Sequence, residues 1–172
     1  MQNQKYLYVL LIIVFLLFSC RKDDAIISKW LNNTNELRKH NEAKITITEG
    51  VAGTLTLIEG DCMPAGGGVE NTCKEYPVKR KIIVYEYTLM RQTEHEGGAV
   101  YTKVNTKLIT VAECDKEGFY QVKLPPGEYS LFIEEKGKLY AGGADGYGGI
   151  NPVKVEQGKV ANGNLRLSYA VY

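Results

Sequence analysis

From residue 45 onward, apolar and polar residues take turns along the chain. Ile45-Thr46-Ile47-Thr48 alternates, and so does Gly53 to Glu59, with Leu55 and Leu57 on one side. Arg80 to Leu89 places Ile83, Tyr85, Tyr87 and Leu89 on one face and Ile82, Val84 and Glu86 on the other. Ala99 to Thr110 sets Val100, Val104 and Leu108 against Tyr101, Lys103 and Lys107. Phe119 to Leu124, Glu128 to Glu135, Val153 to Val155 and Leu165 to Tyr169 continue the pattern. A period of two belongs to a strand, whose successive side chains leave opposite faces. Gly97-Gly98, Glu117-Gly118, Pro125-Pro126-Gly127 and Asn162-Gly163 separate the runs with residues suited to turns. No useful helical period follows residue 45. The pattern predicts an all-β body over residues 45–172, with seven or so strands in a two-sheet antiparallel sandwich.

The first twenty residues follow a different rule. Lys5 precedes an unbroken apolar run of 13 residues, Tyr6 to Phe18. That is short of the roughly 20 residues needed to span a bilayer as a helix, and it fits the apolar region of a secretory signal. Leu17-Phe18-Ser19-Cys20 resembles the lipobox of bacterial lipoproteins, with Phe18 where a smaller or aliphatic residue is usual. The resemblance implies removal of residues 1–19 and acylation of Cys20, which would hold the chain on a membrane without a spanning helix. Lys22-Asp23-Asp24 looks like the export signal of surface lipoproteins in Bacteroidetes-type bacteria. The expected address is the outer membrane, with the body displayed at the cell surface.

Residues 20–44 would then be a lipidated tether. Ile26, Ile27, Trp30, Leu31 and Leu37 fall partly at helical spacing, so a short helix or flexible spacer is expected. Trp30 would anchor at the membrane interface or pack on the body, and His40 would be an exposed spectator. The whole chain carries 21 Lys and Arg against 20 Asp and Glu. Losing residues 1–19 takes away only Lys5. Such a balance excludes the basic footprint of a nucleic-acid binder and predicts no pull toward anionic lipid.

Asp115 to Glu134 reads DKEGFYQVKLPPGEYSLFIE. Its Asp115, Gly118, Tyr120, Pro126, Gly127 and Tyr129 resemble the pattern of the carboxypeptidase regulatory-like domain, a transthyretin-like (prealbumin-like) sandwich. Gly118 and Gly127 would supply turn conformations with positive φ. Tyr129 would enter the next strand with a hydroxyl able to tie down a loop. The resemblance covers roughly Ile45 to Tyr172, implies fold and says almost nothing of activity. The chain departs from the family in a long inserted loop, Glu59 to Lys79.

That loop holds Cys62 and Cys73, separated by a glycine-bearing segment. In an oxidising compartment they are expected to form a disulfide, while Cys114 is left as a buried free thiol. No cofactor is expected. A metal site is not expected either, because the chain lacks C-x-x-C and has two histidines, neither near these cysteines. His95 lies in Glu94-His95-Glu96, where neighbouring side chains would point to opposite faces, so a solvated loop histidine is expected. Asp145 and Tyr147, in the glycine-rich stretch 141–150, are the candidate ligand loop. No catalytic constellation emerges. The expected function is a non-catalytic binding, adhesion or envelope-assembly module with a protein or glycan partner, offering a tyrosine stripe around Tyr101 and Lys103. The alternatives are an accessory subunit of a surface nutrient-uptake or secretion complex, or an unrecognised hydrolase using Glu94, His95 or Asp145.

Overall fold

The computed structural model describes residues 23–64 and 72–172. Helix α1 covers residues 23–30 and α2 covers Thr34–Glu42. Twelve strands follow: β1 (Gly50–Asp61), β2 (Lys74–Pro77), β3 (Lys81–Glu86), β4 (Thr93–Gly97), β5 (Val100–Val104), β6 (Leu108–Glu113), β7 (Phe119–Val122), β8 (Gly127–Glu135), β9 (Lys138–Tyr140), β10 (Pro152–Val155), β11 (Val160–Asn162) and β12 (Leu165–Val171). They form two sheets, one of five strands and one of seven. The all-β sandwich is therefore what the alternating runs build. Its strand count exceeds seven because short pieces such as β2, β9 and β11 pair on the margins of longer strands.

Strand β1 organises the first sheet. β7 and β2 pair with it antiparallel along one edge. β11 and then β12 pair with it parallel along the other. Parallel neighbours need a long crossover, and here nearly the whole body lies between β1 and β12 in sequence. The second sheet runs β4-β5-β9-β8-β3-β6, with β10 added beside β8, and is antiparallel throughout.

Two apolar clusters hold these layers. Val51, Leu55 and Leu57 of β1, Ile82 and Val84 of β3, Leu131 and Ile133 of β8, and Leu165 and Leu167 of β12 fill the space between the sheets. The second cluster lies on the other face of β3 and β8, where Ile83 and Phe132 are covered by Tyr101, Ala141 and Ile150. Fully burying a side chain such as Phe132 stabilises by about 1.5–3 kcal/mol. Tyr101 meets Phe132 edge-on, with centroids 5.4 Å apart. This corrects the expected exposed tyrosine stripe: Tyr101 is buried, because a sheet covered on both faces draws its apolar alternates inward too.

Several run boundaries also move. Ile45 to Thr48 is not a strand; the Gln121 side chain accepts from the Thr46 amide at 2.9 Å and donates to its hydroxyl at 2.8 Å, standing in for a neighbouring strand. β3 stops at Glu86, since the Thr88 amide turns to the Ser130 hydroxyl at 2.9 Å. Ala99 to Thr110 splits into β5 and β6, which serve different neighbours. His95 with its flanking glutamates lies in β4 rather than in a loop. Gly118 takes φ +70°, as expected, and a Cβ there would sit 2.2 Å from the Leu55 carbonyl. Gly127 does not adopt positive φ; a Cβ added there would lie 3.2 Å from the Tyr129 hydroxyl and 3.4 Å from its ring. The Tyr129 hydroxyl donates to the Pro125 carbonyl at 2.9 Å and ties down that turn.

Candidate functional site

Cys20 and Lys22 lie outside the described residues. Asp23 and Asp24 open the described part of α1, and Asp23 Oδ1 stands 2.6 Å from Lys116 Nζ in the β6–β7 turn. From that point the segment expected as a tether is docked on the body. The linker between the helices covers the free edge of β2: Asn32 donates its amide to the Glu75 carbonyl at 2.8 Å, and its side chain accepts from the Glu75 amide at 2.7 Å. An open edge is a template for unwanted pairing, so this cover has a protective role.

Glu117, at the tip of the β6–β7 turn, is where the docking converges. Trp30 Nε1 donates to its Oε1 at 3.0 Å. Lys44 Nζ donates to Oε2 at 2.8 Å, and His40 Nε2 lies 2.9 Å from the same oxygen. Burial would raise the Glu117 pKa, but the bonds from Lys44, Trp30 and His40 outweigh it and hold the carboxyl at about 2. His40 is thus engaged rather than a spectator, and its ring rests 5.1 Å from that of Trp30. Trp30 packs on the body and is buried. Asp115 shapes the turn itself, its Oδ1 accepting from the Glu117 and Phe119 amides at 2.8 and 2.9 Å.

A pocket of about 220 Å³ lies beneath α2, against the middle of β1 and the β11–β12 connection. Arg38, Asn41 and Glu42 come from the helix, Thr54 from β1, Asn162 from the end of β11 and Asn164 from the connection; Ile45, Phe119 and Ala161 are among its apolar walls. Asn41 is 1% exposed. Its Nδ2 donates to Thr54 Oγ1 and to the Glu117 carbonyl, both at 2.9 Å, while its Oδ1 and the buried Arg38 Nε have no partner. No periodicity or motif marked this place. Its residues come from three stretches that look like tether, strand and turn, and only packing unites them.

The loop chosen from sequence has a different character. Asp145 is spent on its own loop: Oδ1 accepts from the Tyr147 and Gly149 amides at 2.8 and 3.0 Å, and Oδ2 accepts from the Tyr87 hydroxyl at 2.6 Å. Those bonds lower its pKa, the Tyr87 bond first. Tyr147 projects into solvent, 90% exposed. Beside it runs an open groove with Tyr87, Glu128 and Lys154.

Cys62 and Cys73 are joined, with Cα atoms 4.7 Å apart, at the neck where β1 leaves for β2. Cys114 is free and buried, and burial pushes its thiol up to about 12. No three or more metal-ligating side chains cluster among the described residues. Among the same residues, no helix is long and apolar enough to cross a membrane. Comparison with family models, with curated proteins and with solved structures returned no match for this chain.

Proposed function

We propose that this chain is a surface lipoprotein whose β-sandwich, akin to the transthyretin-like regulatory domains, serves as a non-catalytic binding module held against the outer membrane. The observation that carries the reading is the short leash. Cys20 precedes Asp23 by three residues, and three residues reach at most about 11 Å. Asp23 is tied to Lys116, and α1 continues into the Trp30–Glu117 contact. An acylated Cys20 would therefore hold the body by the β6–β7 turn.

Strand register gives that anchorage an orientation. Lys81 pairs Glu113 at the end of the second sheet that leads into Asp115, whereas Glu86 pairs Tyr129 at the other end, beside Tyr87. Tyr87 carries the Asp145 loop. Tyr147 would accordingly point away from the bilayer, where a partner can reach it.

Membrane fractionation with metabolic palmitate labelling tests the proposal. The native chain should sediment with outer membranes and carry label. Cys20→Ser should abolish the label and either release the chain or leave an uncleaved precursor. A labelled Cys20→Ser product, or an unlabelled native chain in the cytosol, overturns it.

A further inference from the structure

We infer that the end of the body carrying Met63, Tyr169, Val171 and Tyr172 rests on the bilayer interface as a second membrane contact beside the lipid anchor. This rests on the anchoring reading and adds to it the protein surface that meets the lipid. The four side chains are between 44% and 69% exposed. Single exposed apolar residues are ordinary on a protein surface, whereas a contiguous group marks a contact. These four are neighbours. Tyr169 and Val171 are two apart in β12 and so leave the same face of the strand. Val171 stands opposite Asp61, the last residue of β1, and its carbonyl accepts from the Cys62 amide at 2.9 Å. Met63 follows Cys62, and Tyr172 follows Val171.

The anchor arrives at the same end. Asp23 is tied to Lys116, and the leash back to Cys20 spans at most about 11 Å. Two residues before Lys116, the Cys114 amide donates to the Arg80 carbonyl at 2.9 Å. The Arg80 side chain pairs with Glu135, whose other oxygen accepts from the Tyr169 hydroxyl at 2.8 Å. A bilayer held at Lys116 therefore adjoins the patch, which selects lipid over a protein partner as its occupant.

The side chains suit that layer. Tyrosine has an apolar ring and a polar tip, and it concentrates where acyl chains meet headgroups. Lys136 Nζ lies 4.7 Å over the Tyr169 ring, and a lysine stem lies along apolar surface while its ammonium stays among polar groups. Arg80 with Glu135 and Lys81 with Glu134 are paired, so their charges largely cancel. Apolar area rather than charge would then hold this end, which fits a zwitterionic surface.

The test uses the native acylated chain, methyl-labelled at Ala, Val and Met, one copy per nanodisc of phosphatidylcholine and phosphatidylethanolamine. Part of the phosphatidylcholine carries a nitroxide near its headgroup. The Met63 and Val171 methyls should broaden strongly, as should Ala25 close to the anchor, while Ala144 in the Asp145 loop stays sharp. Val171→Asp and, separately, Tyr172→Ser should lose the broadening at Met63 but keep it at Ala25, with the native melting temperature. The inference is overturned if Met63 and Val171 broaden no more than Ala144, or if both variants broaden at Met63 as the native chain does. It is overturned equally if the patch is shielded only when two copies share a disc, since the occupant is then a second copy. A palmitate-labelled chain that fails these readings leaves the anchoring proposal standing, whereas an unlabelled native chain overturns both.

Discussion

Trp30 and Glu117, 87 positions apart, share a hydrogen bond of 3.0 Å from the indole Nε1 to a carboxylate that Lys44 and His40 also address. This contact makes the amino-terminal helices part of the body rather than a spacer. Hydrogen bonds to charged groups contribute about 1.5–3 kcal/mol each where they are shielded from water. Glu117 is only partly shielded, so Glu117→Ala should cost about 2 kcal/mol in urea unfolding. It should also speed amide exchange across residues 24–41 ahead of the strands. Equal protection of the helices in the variant would show that the docking rests on other contacts.

The same carboxylate sets an acid limit. Its folded pKa, about 2, lies below the ordinary 4.5. Between those values the unfolded chain binds the proton more readily, so stability must rise with pH across that window. The contribution is complete above pH 4.5 and is lost as pH falls toward 2. It amounts to no more than about 3 kcal/mol once solvent screening is allowed for. Urea midpoints at pH 5 and pH 3 should fall more steeply for the native chain than for Glu117→Gln. Parallel curves would remove Glu117 from the account.

Gly118 and Gly98 both have positive φ, yet their surroundings differ. An alanine at Gly118 would drive its Cβ to 2.2 Å from the Leu55 carbonyl, whereas nothing lies within 4 Å of one at Gly98. Gly98→Ala should cost the left-handed conformation alone, about 1–2 kcal/mol. Gly118→Ala adds a backbone collision and should cost more than about 3 kcal/mol. Thermal melts of the two variants give the comparison directly.

The thiols should sort by site. Peptide-level alkylation of native protein at pH 8 should leave Cys114 unmodified, since burial holds its thiol up at about 12, and should leave Cys62 and Cys73 unmodified as a disulfide. Denaturant without reductant should open Cys114 but not the pair. Reducing the pair should lower stability by roughly 2–3 kcal/mol, the loop-closure value for a short ring. Alkylation of Cys62 in the native, unreduced protein would contradict the bridge.

Most strands were legible in the chain because a half-buried strand imposes its period of two on the residues themselves. Tyr129 and Gly118 were legible for another local reason: a turn demands particular residues. The Cys62–Cys73 bridge followed from two thiols close in sequence. The parallel pairing of β1 with β12 was not legible, since neither strand carries a mark of a partner over a hundred residues away. Nor was the inward turn of Tyr101, which depends on a second apolar layer that only the folded sheet creates. Glu117 and Asn41 sit in polar stretches that look solvated, and the contacts that engage them come from elements distant in sequence. Local conformational preference is written residue by residue along the chain. Which polar groups lose their water, and against whom, is decided only when the layers close.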